Sequence, residues 1–505
     1  MPADAALTAL VGLVLSHESE GPPLYRQLYD QLRGMILSGR LPPGTRLPAT
    51  RALAGELGLA RNTVSAAYEQ LLAEGYLLGR QGSGTYVSSE LPDTPPDRLT
   101  GTAPASGRPP PGLSRRGRIL AGIQRPSMRE PRPLTPGAPA LEMFPFDVWN
   151  RLMARCWRAP KSELLIAGEP GGYRPLRQAI ASYLRTVRAV RCEAEQVIIV
   201  NGAQQGINLT AQVLLDPGDA AWVEEPGYAG LRGALTSAGV RAVSVPVDGD
   251  GLDVEAGRRL EPKARIACVA PSHQHPLGVV MSLPRRLQLI EWAGQQDAWI
   301  LEDDYDSEYR YAGRPLAALQ GLDRTDRVIY VGSFSKVLFP SLRLGYLVVP
   351  PALVDGFRRA RQVLDDHASL LAQPALAQFI EDGHFAAHIR RTRRLYATRQ
   401  QALLAAAERS LGGLLALAPD EAGMHLLADP GPDLAPELDD RAIAGLARDQ
   451  AGVVVLPLSA FYTGPVARQG LVLGYAGYDE AAIDTAVDRL ARALTERGRR
   501  ATAGS

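Results

Sequence analysis

Twelve prolines fall within residues 88–140, a stretch of 53 positions. Proline fixes φ and carries no backbone N–H, so neither a helix interior nor a central strand can run through such a segment. Little apolar periodicity accompanies these prolines, and 89–140 is expected to be an extended, partly stiff linker. It divides the 505-residue chain into a small N-terminal part and a much larger C-terminal part, each burying its own core.

In the N-terminal part, LYRQLYDQLRGMILSG repeats apolar residues at Leu24, Leu28, Leu32 and Ile36, a helical period with Gly39 as its stop. After a Pro-Gly turn comes a short helix, capped by Thr50 and ending near Gly58. A second helix, ARNTVSAAYEQLLAEG, turns Val64, Tyr68, Leu71 and Leu72 to a core. Two short helices joined by a turn of three to four residues fit a helix-turn-helix. YLLGRQGSGTYV then reads as two β-prone runs joined by glycines, a hairpin or wing. Residues 15–88 are therefore expected to form a winged helix-turn-helix.

From residue 141 the chain is continuously globular in character, and its 46% hydrophobic content supports a large core. Short apolar runs (QVIIV, AAWVE, IACVA, AWILED, RVIYVGS) alternate with longer helical patterns. This is the signature of an α/β fold around a mostly parallel, buried sheet. Residues 141–499 are expected to form this body, with a smaller lobe over roughly 390–499 whose strands lie near MHLLA, VVVLP and GLVLGYA.

A net charge of +1 argues against a polybasic tail, but a small domain needs only a local positive footprint to hold DNA. Cys156, Cys192 and Cys268 are far apart and form no CxxC pair, so neither a disulfide framework nor a structural metal site is expected. Without a leader-like N-terminus or an apolar run of spanning length, the expectation is a cytoplasmic protein without membrane association.

The second helix of a helix-turn-helix enters the major groove by its first turn, here Arg61, Asn62 and Thr63. Arginine can bridge two acceptors on guanine, asparagine can read adenine, and threonine can reach a phosphate or a thymine methyl. Arg46 and Arg51 flank the preceding helix and suit phosphate contacts. Arg80 and Gln81 lead into Gly82-Ser83-Gly84, where a wing can approach a groove. The expected macromolecular partner is double-stranded operator DNA.

Only three of the 55 basic residues are lysine: Lys161, Lys263 and Lys336. Where arginine serves nearly every positive position, a lysine in a hydroxyl-rich turn calls for chemistry that arginine cannot do. Lys336 follows an apolar strand in VIYVGSFSKVLFPSLRLGY, at the rim where α/β folds bind ligands. Its amine can form a Schiff base with a pyridoxal aldehyde, with Ser333, Ser335 and Arg343 as anion-binding groups around it. Asp303 and Tyr305, past another buried strand, can hold a protonated pyridine nitrogen and a ring hydroxyl. Gly202-Ala203-Gln204 opens a helix whose N–H groups can receive a phosphate, and Tyr228 can stack on the ring.

The segment LPPGTRLPATRALAGELGLARNTVSAAYEQLLAEGYLLGRQGSGTYV resembles the GntR-type winged helix, which implies operator binding with two such domains per dimer. Residues 141–499 resemble the fold-type I aminotransferases, and the two together resemble MocR/GabR-type regulators. The resemblance implies pyridoxal 5'-phosphate (PLP) as cofactor and Lys336 as its Schiff-base lysine. It also implies Asp303 at the pyridine nitrogen, Tyr305 at the ring hydroxyl and Tyr228 stacking on the ring. Ala203 and Gln204 would form the first phosphate loop, and Ser333 and Arg343 the second group.

Three positions depart from that pattern. His275 in SHQHPLG stands where asparagine usually contacts the ring oxygen. Val472 in QGLVLGYAG stands where an arginine commonly clamps the substrate carboxylate, and nearby Arg468 is out of register. Ala167 replaces a frequent aromatic. Losing a bidentate clamp removes both affinity and orientation. The expected function is therefore a homodimeric, PLP-responsive transcription regulator of vitamin B6 or amino-compound metabolism, answering to PLP or a small amine and without physiological turnover. The alternative is a PLP-dependent aminotransferase with an accessory DNA-binding domain.

Overall fold

The structure is a computed structural model describing residues 13, 15, 21–80, 82–91, 112–123, 132–166, 168–312, 316–435 and 437–503. The chain divides into two units, Met1–Gly112 and Leu113–Ser505.

In the first unit, helices α1 (Leu24–Leu37), α2 (Thr50–Leu57) and α3 (Arg61–Ala73) precede an antiparallel hairpin of β1 (Leu77–Arg80) and β2 (Gly84–Val87). Leu28, Leu32, Ile36, Leu53, Val64, Tyr68 and Leu71 are buried together in one core. Leu72, expected inside, is exposed. It sits one residue past Leu71, about 100° around a helix of 3.6 residues per turn, so Ala67 and Leu71 occupy the core stripe instead. Gly58 closes α2 in the left-handed region at φ 64°, as expected. Thr50, however, is already the first helical residue; extended Ala49 precedes it and no side chain caps the helix.

The second unit holds an eight-stranded sheet. Its strands are β3 (Val197–Val200), β4 (Ala220–Glu225), β5 (Arg241–Asp248), β6 (Gly251–Leu252), β7 (Ile266–Val269), β8 (Trp299–Asp304), β9 (Val328–Ser333) and β10 (Gly345–Val348). The order is β3-β10-β9-β8-β7-β4-β5-β6, with β10 and β6 antiparallel to their neighbours and the run from β9 to β5 parallel. β3, β7 and β10 are buried at every residue, as a sheet covered on both faces requires. The smaller lobe carries an antiparallel sheet of β11 (Leu415–Leu417), β12 (His425–Pro430), β14 (Leu471–Gly474) and β13 (Leu456–Pro457), in that order. Two long helices, His384–Ser410 and Glu480–Ala503, accompany it. Cys192 and Cys268 are buried free thiols, whereas Cys156 is half-buried. Among the described residues no helix is long and apolar enough to cross a membrane.

The linker reading of 89–140 needs correction where the segment is described; 92–111 and 124–131 lie outside the described residues. Arg115–Gly122 is a helix with Ser114 Oγ accepting from Gly117 N, and Arg116 donates to the Ser237 carbonyl (2.9 Å). Residues 132–140 are part of the large unit, not a spacer. Leu134, Ala138 and Ala140 are buried, and the Pro133 and Leu134 carbonyls accept from Val454 N (3.0 Å) and Gly474 N (2.8 Å). Proline removes donors but not acceptors, so an extended proline-rich strip can still lend its carbonyls to a sheet edge.

Candidate cofactor site and DNA-reading surface

The carboxyl ends of the parallel strands meet at one rim, and a cavity of about 340 Å³ opens there. Nine residues expected at a cofactor line it together: Ala203, Gln204, Tyr228, His275, Asp303, Tyr305, Ser333, Lys336 and Arg343. They are carried by β8, by β9 and the turns beyond it, by the strand-to-helix turns after β3 and β4, and by the loop after β7.

One end of the cavity has the chemistry to receive an anion. Gly202 (φ 91°) precedes the helix Ala203–Leu214, whose first N–H groups have no partner within the helix. Arg343 donates to the Asn201 carbonyl (2.9 Å), which holds its guanidinium beside Gly202. Gln204 is locked by its Nε2 on the Gly230 carbonyl (2.7 Å) and by the Tyr228 hydroxyl donating to its Oε1 (3.1 Å). Its side chain thus positions Tyr228, leaving the backbone to face an anion. Ser333 Oγ accepts from Ser335 N (3.2 Å) at the end of β9.

The reactive end holds Lys336, whose Nζ donates to the Gly137 carbonyl (2.9 Å). Gly137 has φ 74°, and a Cβ there would stand 2.4 Å from that nitrogen. Residues 132–140 therefore form a strap over the lysine, and the positive φ at 137 favours glycine there. Gly137→Ala is expected to cost ~1–2 kcal/mol of backbone strain and to slow PLP uptake several-fold, measured by stopped-flow absorbance. An unchanged uptake rate would remove the strap from the site.

Asp303 supplies the test of whether the cavity fits PLP. Its Oδ1 is buried with no hydrogen-bond partner. Burial, reinforced by the charges of Asp304 and Asp306, pushes the carboxyl up to about 7. A buried acceptor left in this state is relieved by a cationic N–H donor, which a pyridinium nitrogen would be. The residues fit the cofactor.

A buried clamp beside the cavity was not legible in the motifs. His273 Nδ1 lies 3.0 Å from Asp306 Oδ2 and 3.1 Å from the Tyr305 hydroxyl, while Nε2 lies 3.2 Å from Asp420 Oδ2. Burial alone would pull this imidazole down, but Asp306 and Asp420 outweigh it and push it up to about 10. Gly423 and Gly278 make room for it: a Cβ on Gly423 would meet His273 Cε1 at 2.1 Å, and one on Gly278 would meet Asp420 Oδ2 at 2.4 Å. Asp420 precedes β12, so the clamp joins the smaller lobe to the end of β8. Glu224 and His425 also line the cavity; burial pushes Glu224 up to about 8 and His425 down to about 4.

On the first unit, Arg61, Asn62 and Thr63 are the first three residues of α3, the first two exposed and Thr63 half-buried. Arg51 is exposed in the first turn of α2. Arg46 bridges Tyr86 of β2, and its Nε would lie 3.1 Å from a Cβ on Gly84. Arg80 ends β1 with its guanidinium 5.0 Å from the centre of the Tyr86 ring. Arg80 of the wing and Arg46 from before α2 thus meet at Tyr86, and Gly82 (φ 74°) makes the turn between the strands. Gln81 lies outside the described residues.

The family model for aminotransferase class I and II matches residues 140–490, and that for bacterial regulatory proteins of the gntR family matches residues 24–87. The probable rhizopine catabolism regulatory protein MocR of Rhizobium meliloti is 44% identical over 95% of this chain and 96% of its own length. The chain belongs to the MocR/GabR-type regulators. The pyridoxine biosynthesis transcriptional regulator PdxR of Corynebacterium glutamicum, 33% identical over 92% of this chain and 94% of its own, is a further relative. Among solved structures, LysN, the α-aminoadipate aminotransferase of Thermus thermophilus, superposes with TM-score 0.67 at 29% identity, covering 75% of this chain and 97% of that one.

Within this MocR/GabR-type frame the departures acquire surroundings. Val472 is fully buried in β14, paired with Leu427 and Leu456, in an apolar cluster with Leu458 and Phe461. Arg468 makes a two-pronged pair with Asp429 (2.9 and 2.7 Å) and does not line the cavity. The His275 ring packs edge-on to Phe461 and His425. Ala167 lies outside the described residues.

Proposed function

We propose that this chain is a PLP-responsive transcription regulator whose aminotransferase-like unit senses PLP or an amine rather than turning over substrate. The observation that carries this reading is the partnerless buried Asp303 oxygen in the same cavity as Lys336. When bound, PLP supplies an electrophilic carbonyl carbon and an electron-withdrawing ring. Lys336 would hold it covalently, and Asp303 would keep the ring nitrogen protonated. Arg343, Ser333 and the Ala203–Gln204 backbone would hold the phosphate, while Tyr228 covers a ring face. Tyr305, braced by His273, would orient the ring hydroxyl. The controlled genes would serve vitamin B6 or amino-compound metabolism, in line with what the names of PdxR and MocR say of those relatives.

Signalling requires that the ligand bind two conformations with different affinity. The assembly expected is a homodimer whose paired winged helices read two half-sites. Operator binding at defined salt, with and without PLP and candidate amines, tests this reading. Affinity unmoved by any of them would overturn it. Arg61→Ala is expected to lose ~10–100-fold of discrimination between operator and scrambled DNA, with unchanged thermal stability. Loss of affinity equal for both sequences would make Arg61 a phosphate contact only. The enzyme alternative is favoured by the intact lysine, acid and phosphate cradle. Multiple turnovers of an amino donor by the purified protein would decide for it.

A further inference from the structure

We infer that the effector admitted beside Lys336 is a primary amine without a free carboxylate, its far end apolar or hydroxyl-bearing. This rests on the PLP-binding reading above. Three basic side chains are found among the described residues lining the cavity: Lys336, Arg343 and Arg232. Lys336 is the attachment point. Arg343 is held on the Asn201 carbonyl at the anion end. Arg232 is paired with Glu225 and also donates to Ser244 Oγ (3.1 Å), so its charge is already matched.

The remaining nitrogen groups at the rim are uncharged at neutral pH. Burial above all holds His275 well below the usual imidazole range, and burial likewise brings His425 down to about 4. The two rings lie 5.3 Å apart, and His275 is 5.1 Å from the Phe461 ring. Leu456 and Phe461 form the wall next to them, backed by the fully buried Val472. Glu224, Asp303 and Asp306 also line the cavity.

A carboxylate brought to this wall would shed its water without gaining a charged partner. A methylene or ring would gain burial there. A hydroxyl would find a neutral imidazole able to donate or accept. The exchange itself needs no co-reactant. The incoming nitrogen forms its C=N bond to the cofactor carbon as the Lys336 nitrogen leaves, and the two protons given up by the amine end on Lys336.

The test uses PLP-loaded full-length protein and matched pairs differing only by the carboxylate: phenethylamine against L-phenylalanine, and 2-aminoethanol against L-serine. Absorbance of the lysine-bound cofactor and thermal shift are the readouts. In both pairs the amine is expected to exchange at a concentration at least 10-fold lower. Equal or tighter binding of the amino acids overturns the inference while leaving PLP binding intact. A protein that takes up no PLP overturns the parent reading and this one with it. Leu456→Arg, which adds a guanidinium to the wall, is expected to shift each ratio at least 10-fold towards the amino acid. An unmoved ratio in a folded, PLP-loaded variant counts against the assignment of this wall.

Discussion

Replacing Lys336 with alanine is expected to abolish the visible band of covalently held PLP and to weaken cofactor binding by at least about 100-fold, on the order of 3 kcal/mol. The winged helix should be untouched, because Lys336 belongs to the other unit and the core around Leu28, Val64 and Leu71 is complete without it. The measurement is unusually clean in this chain. Borohydride reduction fixes the cofactor to its lysine, and there are only three lysines to distinguish by peptide mass. Lys161 and Lys263 are both exposed, and neither lines the cavity. Label on either of them, or a full absorbance band in Lys336→Ala, would overturn the attachment site. Basal operator binding that persists in the variant but no longer answers to PLP would tie sensing to this one nitrogen.

His273→Gln is expected to have the largest effect on stability. The folded imidazole is raised to about 10 from an ordinary value of 6.5. Its contribution is therefore fully present below pH 6.5 and is lost as pH rises through about 10. Asp420 is shifted the other way: burial pushes against ionisation, but the His273 hydrogen bond wins and lowers it. Its share is present above the ordinary carboxylate range and lost in acid. The clamp thus works at full strength from mildly acidic pH up to about 6.5. Glutamine leaves Asp306 and Asp420 without the positive charge between them, and breaking a buried pair in this way costs roughly 3–5 kcal/mol. In urea unfolding of the large unit, the gap between wild type and variant should be widest near pH 6 and should close as pH approaches 10. A gap independent of pH would mean that His273 packs there as a neutral ring. Since His273 also braces the Tyr305 hydroxyl, the variant should show a shifted absorbance maximum for bound PLP, which a purely structural loss would not produce.

The fold was legible where a pattern is local. The period of Leu28, Leu32 and Ile36, the glycine at 58, and the all-apolar VIIV of β3 each declare an element within a dozen residues. The residues that line the cavity were legible for a related reason. Asp303, Ser333 and Gly202 each stand at or just past the end of a strand, and parallel strands deliver their carboxyl ends to one rim. Leu72 and Thr50 were misplaced because one residue of helical phase, or one residue of cap position, is below what periodicity resolves.

By itself, then, the sequence determined which side chains stand at the ends of which elements: Arg61 at the start of a helix, a hairpin after it, and Ala203, Asp303 and Lys336 at or just past the ends of three strands. Only the tertiary structure decided what those groups face. It laid the proline-rich strap of 132–140 across Lys336, 199 residues away in sequence from Gly137, and set His273 against Asp420 across 147 residues. It also enclosed Val472 in an apolar wall. The physical reason is that periodicity and strand ends are properties of neighbouring residues. A clamp, a strap or a wall exists only when segments far apart in the chain are packed together, and no short window of the sequence contains both sides of the contact.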